Sequence, residues 1–117
     1  MSDPNPGDRR FPITSEFASD PDMVELIDLF VKELPDRLES MLGHWRAHNF
    51  GEVQRAAHQL KGSSAGYGFP SVGLAAGKVE AQLRGRSAEQ ITDETERITS
   101  QIRELVELCR LVRPTGS

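Results

Sequence analysis

The chain has only one cysteine, Cys109, so it cannot form an internal disulfide bond. It also lacks any apolar run close to the roughly 20 residues that cross a bilayer as a helix, so no membrane span is expected. Residues 1–7 are polar and rich in proline, with no apolar signal segment, and this favours a cytoplasmic location. Because the formal net charge is −4 and basic residues are interspersed with acidic ones, we expect no nucleic-acid partner.

The length and composition indicate one globular helical domain. The chain has 117 residues, of which 37% are hydrophobic and 27% charged, and this is enough to build a single core. No alternating strand pattern and no internal repeat is present. We expect a disordered arm at residues 1–12, a helical domain at residues 13–113 and a polar tail at residues 114–117.

Apolar residues recur every three or four positions from residue 20 onward, which predicts amphipathic helices. Pro35 is expected to break or restart the first helix, and Ser87 with Gln90 forms a capping-box pattern at the start of the last. The predicted helices cover about residues 20–34, 38–48, 52–67, 70–83 and 87–112. Since short loops favour antiparallel neighbours, the predicted fold is all-α: an up-down-up-down four-helix bundle with an extra N-terminal capping helix.

The most informative segment is residues 57–64, Ala-His-Gln-Leu-Lys-Gly-Ser-Ser. At about 100° per residue, Leu60 lies on the apolar side of the helix and His58 nearly opposite, so the imidazole should be exposed. Gly62 lies one turn from His58, and a glycine inside a helix costs roughly 1 kcal/mol relative to alanine. We interpret Gly62 as a residue that is kept despite this cost because it leaves room for a large partner close to His58. Lys61 lies on the adjacent surface, so the site suits an anionic group carried by a macromolecule.

Three parts of the sequence resemble one known family. The run His-Gln-Leu-Lys-Gly-Ser-Ser at residues 58–64, followed by Gly-Tyr-Gly-Phe at residues 66–69, resembles the signature of histidine-containing phosphotransfer (HPt) domains. Residues 79–84 resemble the part of the next helix that faces the phosphorylated histidine, and residues 19–35 resemble the opening helices. The resemblance covers roughly residues 13–112 and implies the same four-helix fold and a function in two-component phosphorelays.

The resemblance also implies a role for each site residue. His58 would carry a phosphoryl group between the aspartates of receiver domains. Lys61 and Arg84 would offset the phosphate charge, and Glu80 would orient the imidazole by accepting its hydrogen bond. The receiver would dock over small residues, and Gly68 would also let the chain turn into the next helix. These docking residues are Gly62, Ser63, Ala65 and Gly68.

The sequence contains no acidic metal cluster and no nucleotide-binding motif. In the HPt interpretation, Mg²⁺ and the acceptor carboxylate would therefore belong to the partner receiver, and this chain would bind no cofactor or metal. The expected partners are response-regulator receiver domains and a hybrid sensor histidine kinase. The chain itself would be a monomeric covalent carrier rather than an enzyme.

Two other functions remain open on the residues alone. The chain could be a helical adaptor that binds a receiver or another signalling protein without phosphorylation, with His58 an ordinary solvated residue. His44 and His48, four residues apart, could bind a metal, but no third ligand can be named, and boundary positions of a bundle are the favoured interpretation.

Two further features have ordinary structural interpretations. Glu80 and Arg84 have the spacing of a surface ion pair, which is worth about 0.3–0.5 kcal/mol. Cys109 falls on the apolar seam of the last helix and should be a buried, unreactive thiol.

Overall fold

Five helices make up most of residues 11–114, the part of the chain that the computed structural model describes. They are α1 (Val24–Arg46), α2 (Phe50–Gly66), α3 (Pro70–Leu83), α4 (Ala88–Asp93) and α5 (Thr95–Leu111). Within the described range there is no β-strand, only a single bridge between Ile13 and Val112. The predicted arm and tail lie largely outside the described residues. None of the helices in residues 11–114 has the length and apolar character needed to cross a membrane.

The four long helices, α1, α2, α3 and α5, form a four-helix bundle, which confirms the predicted all-α fold class. Each of them turns one apolar face to a common core, with Leu34 from α1, Leu60 from α2, Val79 from α3 and Leu105 from α5 all buried. The extensive contact between α2 and α3 makes this pair the centre of the bundle. The helix pattern of the sequence therefore places the core correctly.

The prediction that Pro35 breaks the first helix is wrong, because α1 continues through it as one helix of 23 residues. A proline inside a helix removes one backbone hydrogen bond and costs about 3 kcal/mol. Here Pro35 is exposed, so water can reach the carbonyl of Val31 that loses its partner. Leu34 and Leu38 on either side are buried in the core, and their burial offsets the cost. The predicted capping helix is thus present as the N-terminal half of α1.

The last predicted helix is divided in two at Glu94, a difference from the single helix expected over residues 87–112. The capping box of Ser87 and Gln90 is confirmed at the start of α4. At the division, the Thr95 hydroxyl donates to the carbonyl of Thr92 at 2.7 Å. Side-chain hydrogen bonds of this kind compete with the helical pattern of the backbone. The apolar spacing continues across the division, so the sequence pattern does not show it.

The corner between α2 and α3 is held from the outside by the segment before α1. Ser15 donates its hydroxyl hydrogen to the carbonyl of Tyr67 at 2.6 Å, and Glu16 donates its backbone N–H to the carbonyl of Gly68. Phe30 of α1 packs against the rings of Tyr67 and Phe69, with centroids 5.0 and 5.8 Å away. The N-terminal half of α1 therefore covers the end of the helix that carries His58.

Gly68 is required at this corner for two separate reasons. Its φ is +86°, a left-handed conformation that side chains disfavour. A Cβ atom there would lie 2.4 Å from the Ser15 hydroxyl oxygen and 2.9 Å from the Glu16 nitrogen. We expect Gly68→Ala to lower the free energy of unfolding by about 2–4 kcal/mol, measured by urea denaturation.

Gly85 provides the matched control, because its φ is +70° but a Cβ atom added there would meet nothing within 4 Å. Gly85→Ala should lower the free energy of unfolding by only about 1 kcal/mol, the cost of placing an alanine in the left-handed backbone conformation. Equal losses in the two variants would contradict the packing role of Gly68.

Candidate functional site

His58 lies on the outer face of α2, with 64% of its side chain exposed. Its neighbours Ala57 and Leu60 are buried in the core, so the helical phase of α2 directs the imidazole away from the bundle as the sequence predicts. Gly62 and Ala65, on the same outer strip, are exposed, and a Cβ at Gly62 would meet no atom of residues 11–114 within 4 Å beyond its own stretch of helix. The surface around His58 is therefore formed by small, exposed residues and is accessible to a partner.

Glu80 of α3 contacts the imidazole from the neighbouring helix. Its residue is only 3% exposed, and its Oε2 lies 2.7 Å from Nδ1 of His58. The same oxygen lies 2.9 Å from Nη2 of Arg84, while Oε1 lies 3.1 Å from Nζ of Lys61. The pair of Glu80 and Arg84 is thus part of a four-residue cluster and not the isolated surface ion pair that spacing alone indicates.

The electrostatics of this cluster keep Glu80 ionised. The hydrogen bond from Arg84 is the largest cause that lowers the pKa of the Glu80 carboxyl, and the contacts with Lys61 and His58 act in the same direction. Burial opposes them, because it disfavours the charged form. The balance lowers the pKa of Glu80 from 4.5 to about 2. At neutral pH the site therefore contains a buried carboxylate that only accepts hydrogen bonds.

The ionised carboxylate determines which imidazole nitrogen carries hydrogen. Because Glu80 cannot donate, the short contact at Nδ1 of His58 requires a hydrogen on Nδ1. In the neutral ring the lone pair is then left on Nε2. A histidine held in this tautomer offers a nucleophilic nitrogen at the atom opposite to the carboxylate contact.

The close approach of α2 and α3 brings these residues together. A Cβ at Gly73 of α3 would lie 3.2 Å from the backbone oxygen of Lys61 in α2, and Ala76 on the same helix is fully buried. Small side chains let two helices pack at short distance, so a glutamate on one can reach a histidine on the other. The small residues of α3 signal close packing in the sequence, but they do not identify its neighbour.

Two predicted docking residues, Ser63 and Gly68, lie away from the exposed surface around His58. Ser63 lies at the edge of α2 toward α1, where its hydroxyl oxygen is 3.4 Å from Nη1 of Arg37. Gly68, predicted as a docking residue, is buried beneath the segment that precedes α1. It shapes the corner and does not contribute to the exposed surface, because Ser15 and its neighbours cover it.

Arg37 is a basic residue near the site that the sequence does not single out. Its guanidinium lies over the ring of Phe30 at 5.6 Å from the centroid, and Ser63 is its contact on α2. Only the packing of α1 against α2 brings it to this position, and no motif in the sequence marks it.

The other candidate sites have structural surroundings. His48 has a φ of 61° and stacks on Phe50 at the α1–α2 corner, and Nδ1 of His44 lies 3.4 Å from Nδ2 of Asn49. Within residues 11–114 no group of three or more His, Cys, Asp or Glu side chains is placed to hold a metal ion. Cys109 is buried, as predicted, and burial raises the pKa of its thiol to about 12. Its thiolate form is therefore negligible at neutral pH.

The lowered pKa of Glu80 predicts how acid affects stability. A carboxyl whose pKa is lower in the folded state adds stability that is present above its unfolded value and is lost as the pH falls. We expect the contribution of Glu80, on the order of 2–3 kcal/mol, to disappear between about pH 5 and pH 2. The measurement is the free energy of unfolding of wild type and Glu80→Gln across this range.

The free energies of unfolding of wild type and Glu80→Gln should differ most near neutral pH and become similar toward pH 2. Glu52→Gln is the control, because its carboxylate makes only an exposed contact with Arg55 at 3.8 Å. A constant difference between wild type and Glu80→Gln from pH 7 to pH 2 would contradict the lowered pKa.

A comparison with protein-family models matches residues 25–110 to the Hpt domain. Comparisons with curated proteins and with solved structures found no match. The matched range runs from the second residue of α1 to the next-to-last residue of α5, so it includes the whole bundle and every residue of the His58 cluster. The chain belongs to the Hpt domain family, the histidine phosphotransfer modules of two-component phosphorelays.

Proposed function

We propose that His58 carries a phosphoryl group between the aspartates of receiver domains. The observation that supports this most directly is the contact of Nδ1 with the buried carboxylate of Glu80 at 2.7 Å, on an imidazole that is otherwise 64% exposed. One side of the ring is fixed by the protein and the other side faces solvent. A nucleophile that must react with a second macromolecule requires this combination.

The transfer step needs no general base to remove a proton from the imidazole. The lone pair of Nε2 attacks the phosphorus of an aspartyl phosphate, the N–P bond forms, and the P–O bond to the aspartate breaks, returning a free carboxylate. The hydrogen on Nδ1 stays in place, so the ring becomes positively charged. The carboxylate of Glu80 stabilises that charge through the existing hydrogen bond. The reverse reaction with a second receiver restores the neutral imidazole.

The basic residues of the cluster would neutralise the transferred group. Phosphoryl transfer passes through a loose transition state with charge on the three equatorial oxygens, so catalysis consists mainly of positioning and charge stabilisation. Lys61 contacts Oε1 and Arg84 contacts Oε2 of the carboxylate that holds His58, and both side chains are partly exposed. The chain would supply these two cations, and the partner receiver would supply Mg²⁺ and the aspartate.

The open surface beside His58 would receive the partner. Gly62 and Ala65 present no large side chain next to the imidazole, so a receiver domain could bring its aspartate within bonding distance of Nε2. We expect the carrier to act as a monomer, because a second copy on this face would cover His58. Its partners would be response-regulator receivers and, through the receiver of a hybrid sensor kinase, the source of the phosphoryl group.

Labelling of histidine variants tests whether His58 is the carrier residue. With a phosphorylated receiver domain and Mg²⁺, wild type should acquire label that is labile in acid and stable in alkali, as a phosphohistidine is. His58→Gln should acquire none, while His44→Gln should be labelled like wild type. Label on neither protein, across several receivers that hold phosphate, would favour a non-phosphorylated adaptor. Equal label on wild type and His58→Gln would contradict the assignment of His58.

A larger side chain at Gly62 tests whether the receiver needs the open space beside His58. Gly62→Gln should fold, because nothing lies within 4 Å of a Cβ at this position, but it should transfer phosphate at least about tenfold more slowly since its side chain blocks the receiver. Gly43→Gln is the matched control, as Gly43 is also an exposed helical glycine with open space around it. The measurement is the transfer rate from a phosphorylated receiver. Transfer by Gly62→Gln at the control rate would show that close approach at Gly62 is not needed.

A further inference from the structure

The side chain of Lys61 crosses from α2 onto the surface of α3. Its backbone lies in α2, and its Nζ reaches Oε1 of Glu80 on α3 at 3.1 Å. Between these two points the aliphatic chain passes over Gly77. A Cβ built at Gly77 would lie 3.1 Å from Cδ and 3.8 Å from Cγ of Lys61. The methylene groups of Lys61 thus occupy the space that a side chain at residue 77 would fill.

Gly77 is an interior residue of α3, where glycine is the least favourable choice after proline. Backbone packing explains Gly73, four residues earlier, because its close neighbour is the main-chain oxygen of Lys61. It does not explain Gly77, since among residues 11–114, and outside the local helix backbone, the atoms within 4 Å of a Cβ there belong to the Lys61 side chain. The absence of a side chain at residue 77 therefore leaves the space through which the Lys61 side chain passes.

We infer that Gly77 is a positioning residue for phosphotransfer: it leaves the groove through which Lys61 brings its ammonium group to Glu80, beside His58. The functional part of this inference rests on the proposed carrier role of His58. A side chain at residue 77 would push the methylene groups of Lys61 outward and release the ammonium into water. Glu80 would keep Arg84 and His58, but the site would lose one of its two cations for the phosphoryl oxygens.

A graded pair of variants tests the groove. Gly77→Ala requires the Lys61 chain to move by a few tenths of an ångström, while the branched side chain of Gly77→Val fills the groove. Gly43→Val is the matched control, because it makes the same change inside α1 at a position where no described residue beyond the local helix lies within 4 Å of an added Cβ. Circular dichroism and thermal unfolding establish that each variant retains the helical fold.

The first readout is independent of phosphotransfer. Under limiting treatment with an amine-reactive reagent, mass spectrometry compares the labelling rate of Lys61 with that of Lys32, an exposed lysine of α1 that pairs with Asp28. The ratio should rise about two- to fivefold in Gly77→Val, as expected for the loss of a partly exposed ion pair. Gly77→Ala should give a smaller rise and Gly43→Val none. An unchanged ratio in Gly77→Val overturns the inference.

The second readout is the transfer rate from a receiver that phosphorylates wild type. Gly77→Val should be slower on the order of tenfold, like Lys61→Ala. In the Lys61→Ala background no methylene chain remains to be displaced, so adding Gly77→Val should change the rate by less than about twofold. If the double variant instead lost transfer rate by the product of the two single losses, Gly77 would act through something other than Lys61, and the inference would be overturned.

The two readouts separate this inference from the proposed function. If the proposed function fails, wild type itself takes no label from receivers, and the Lys61 labelling ratio still decides whether the groove exists. If wild type takes label and Gly77→Val transfers at the wild-type rate despite a raised labelling ratio, the carrier role stands and the positioning role of Gly77 is overturned.

Discussion

A buried carboxylate between two helices is the constraint on which the site depends. Glu80 is almost fully removed from water at the α2–α3 interface, and an unpaired charge there would be strongly destabilising. It is tolerated because Lys61, Arg84 and His58 all contact its two oxygens. The same contacts fix the orientation of the imidazole and place two cations beside it. The electrostatic requirement of one buried residue thus assembles the whole functional cluster.

The rest of the fold holds this interface in place. The small residues of α3 allow its close approach to α2, and the packing of Phe30 on Tyr67 and Phe69 fixes the corner where the two helices join. In the part of the chain that the structure describes, the outer face of α2 around Gly62 and Ala65 is exposed and carries no such packing. This arrangement suits the proposed carrier role, in which the bundle would position one nucleophilic nitrogen and a partner docked on the exposed face of α2 would supply the remaining reaction components.

The helix periodicity was sufficient to predict the fold class and, within about two residues, the ends of α2 and α3. It failed at Pro35 and at Glu94, for two different reasons. At Pro35 the burial of Leu34 and Leu38 outweighs the local cost of proline in a helix. At Glu94 side-chain hydrogen bonds interrupt a pattern whose apolar spacing is continuous. The apolar period includes neither effect: the first arises from tertiary packing, and the second from a local hydrogen bond between residues three apart.

For the site, the sequence by itself determined that His58 is exposed, that Lys61 lies beside it and that Gly62 leaves space, because all three follow from the phase of a single helix. Through family resemblance it also indicated Glu80 and Arg84. Only the tertiary structure decided that Glu80 is buried, that it contacts Nδ1 of His58 and that the path of Lys61 runs over Gly77. These facts depend on the distance and rotation between α2 and α3. A linear pattern specifies which face of each helix is apolar, but the packing of the two faces sets which atoms meet.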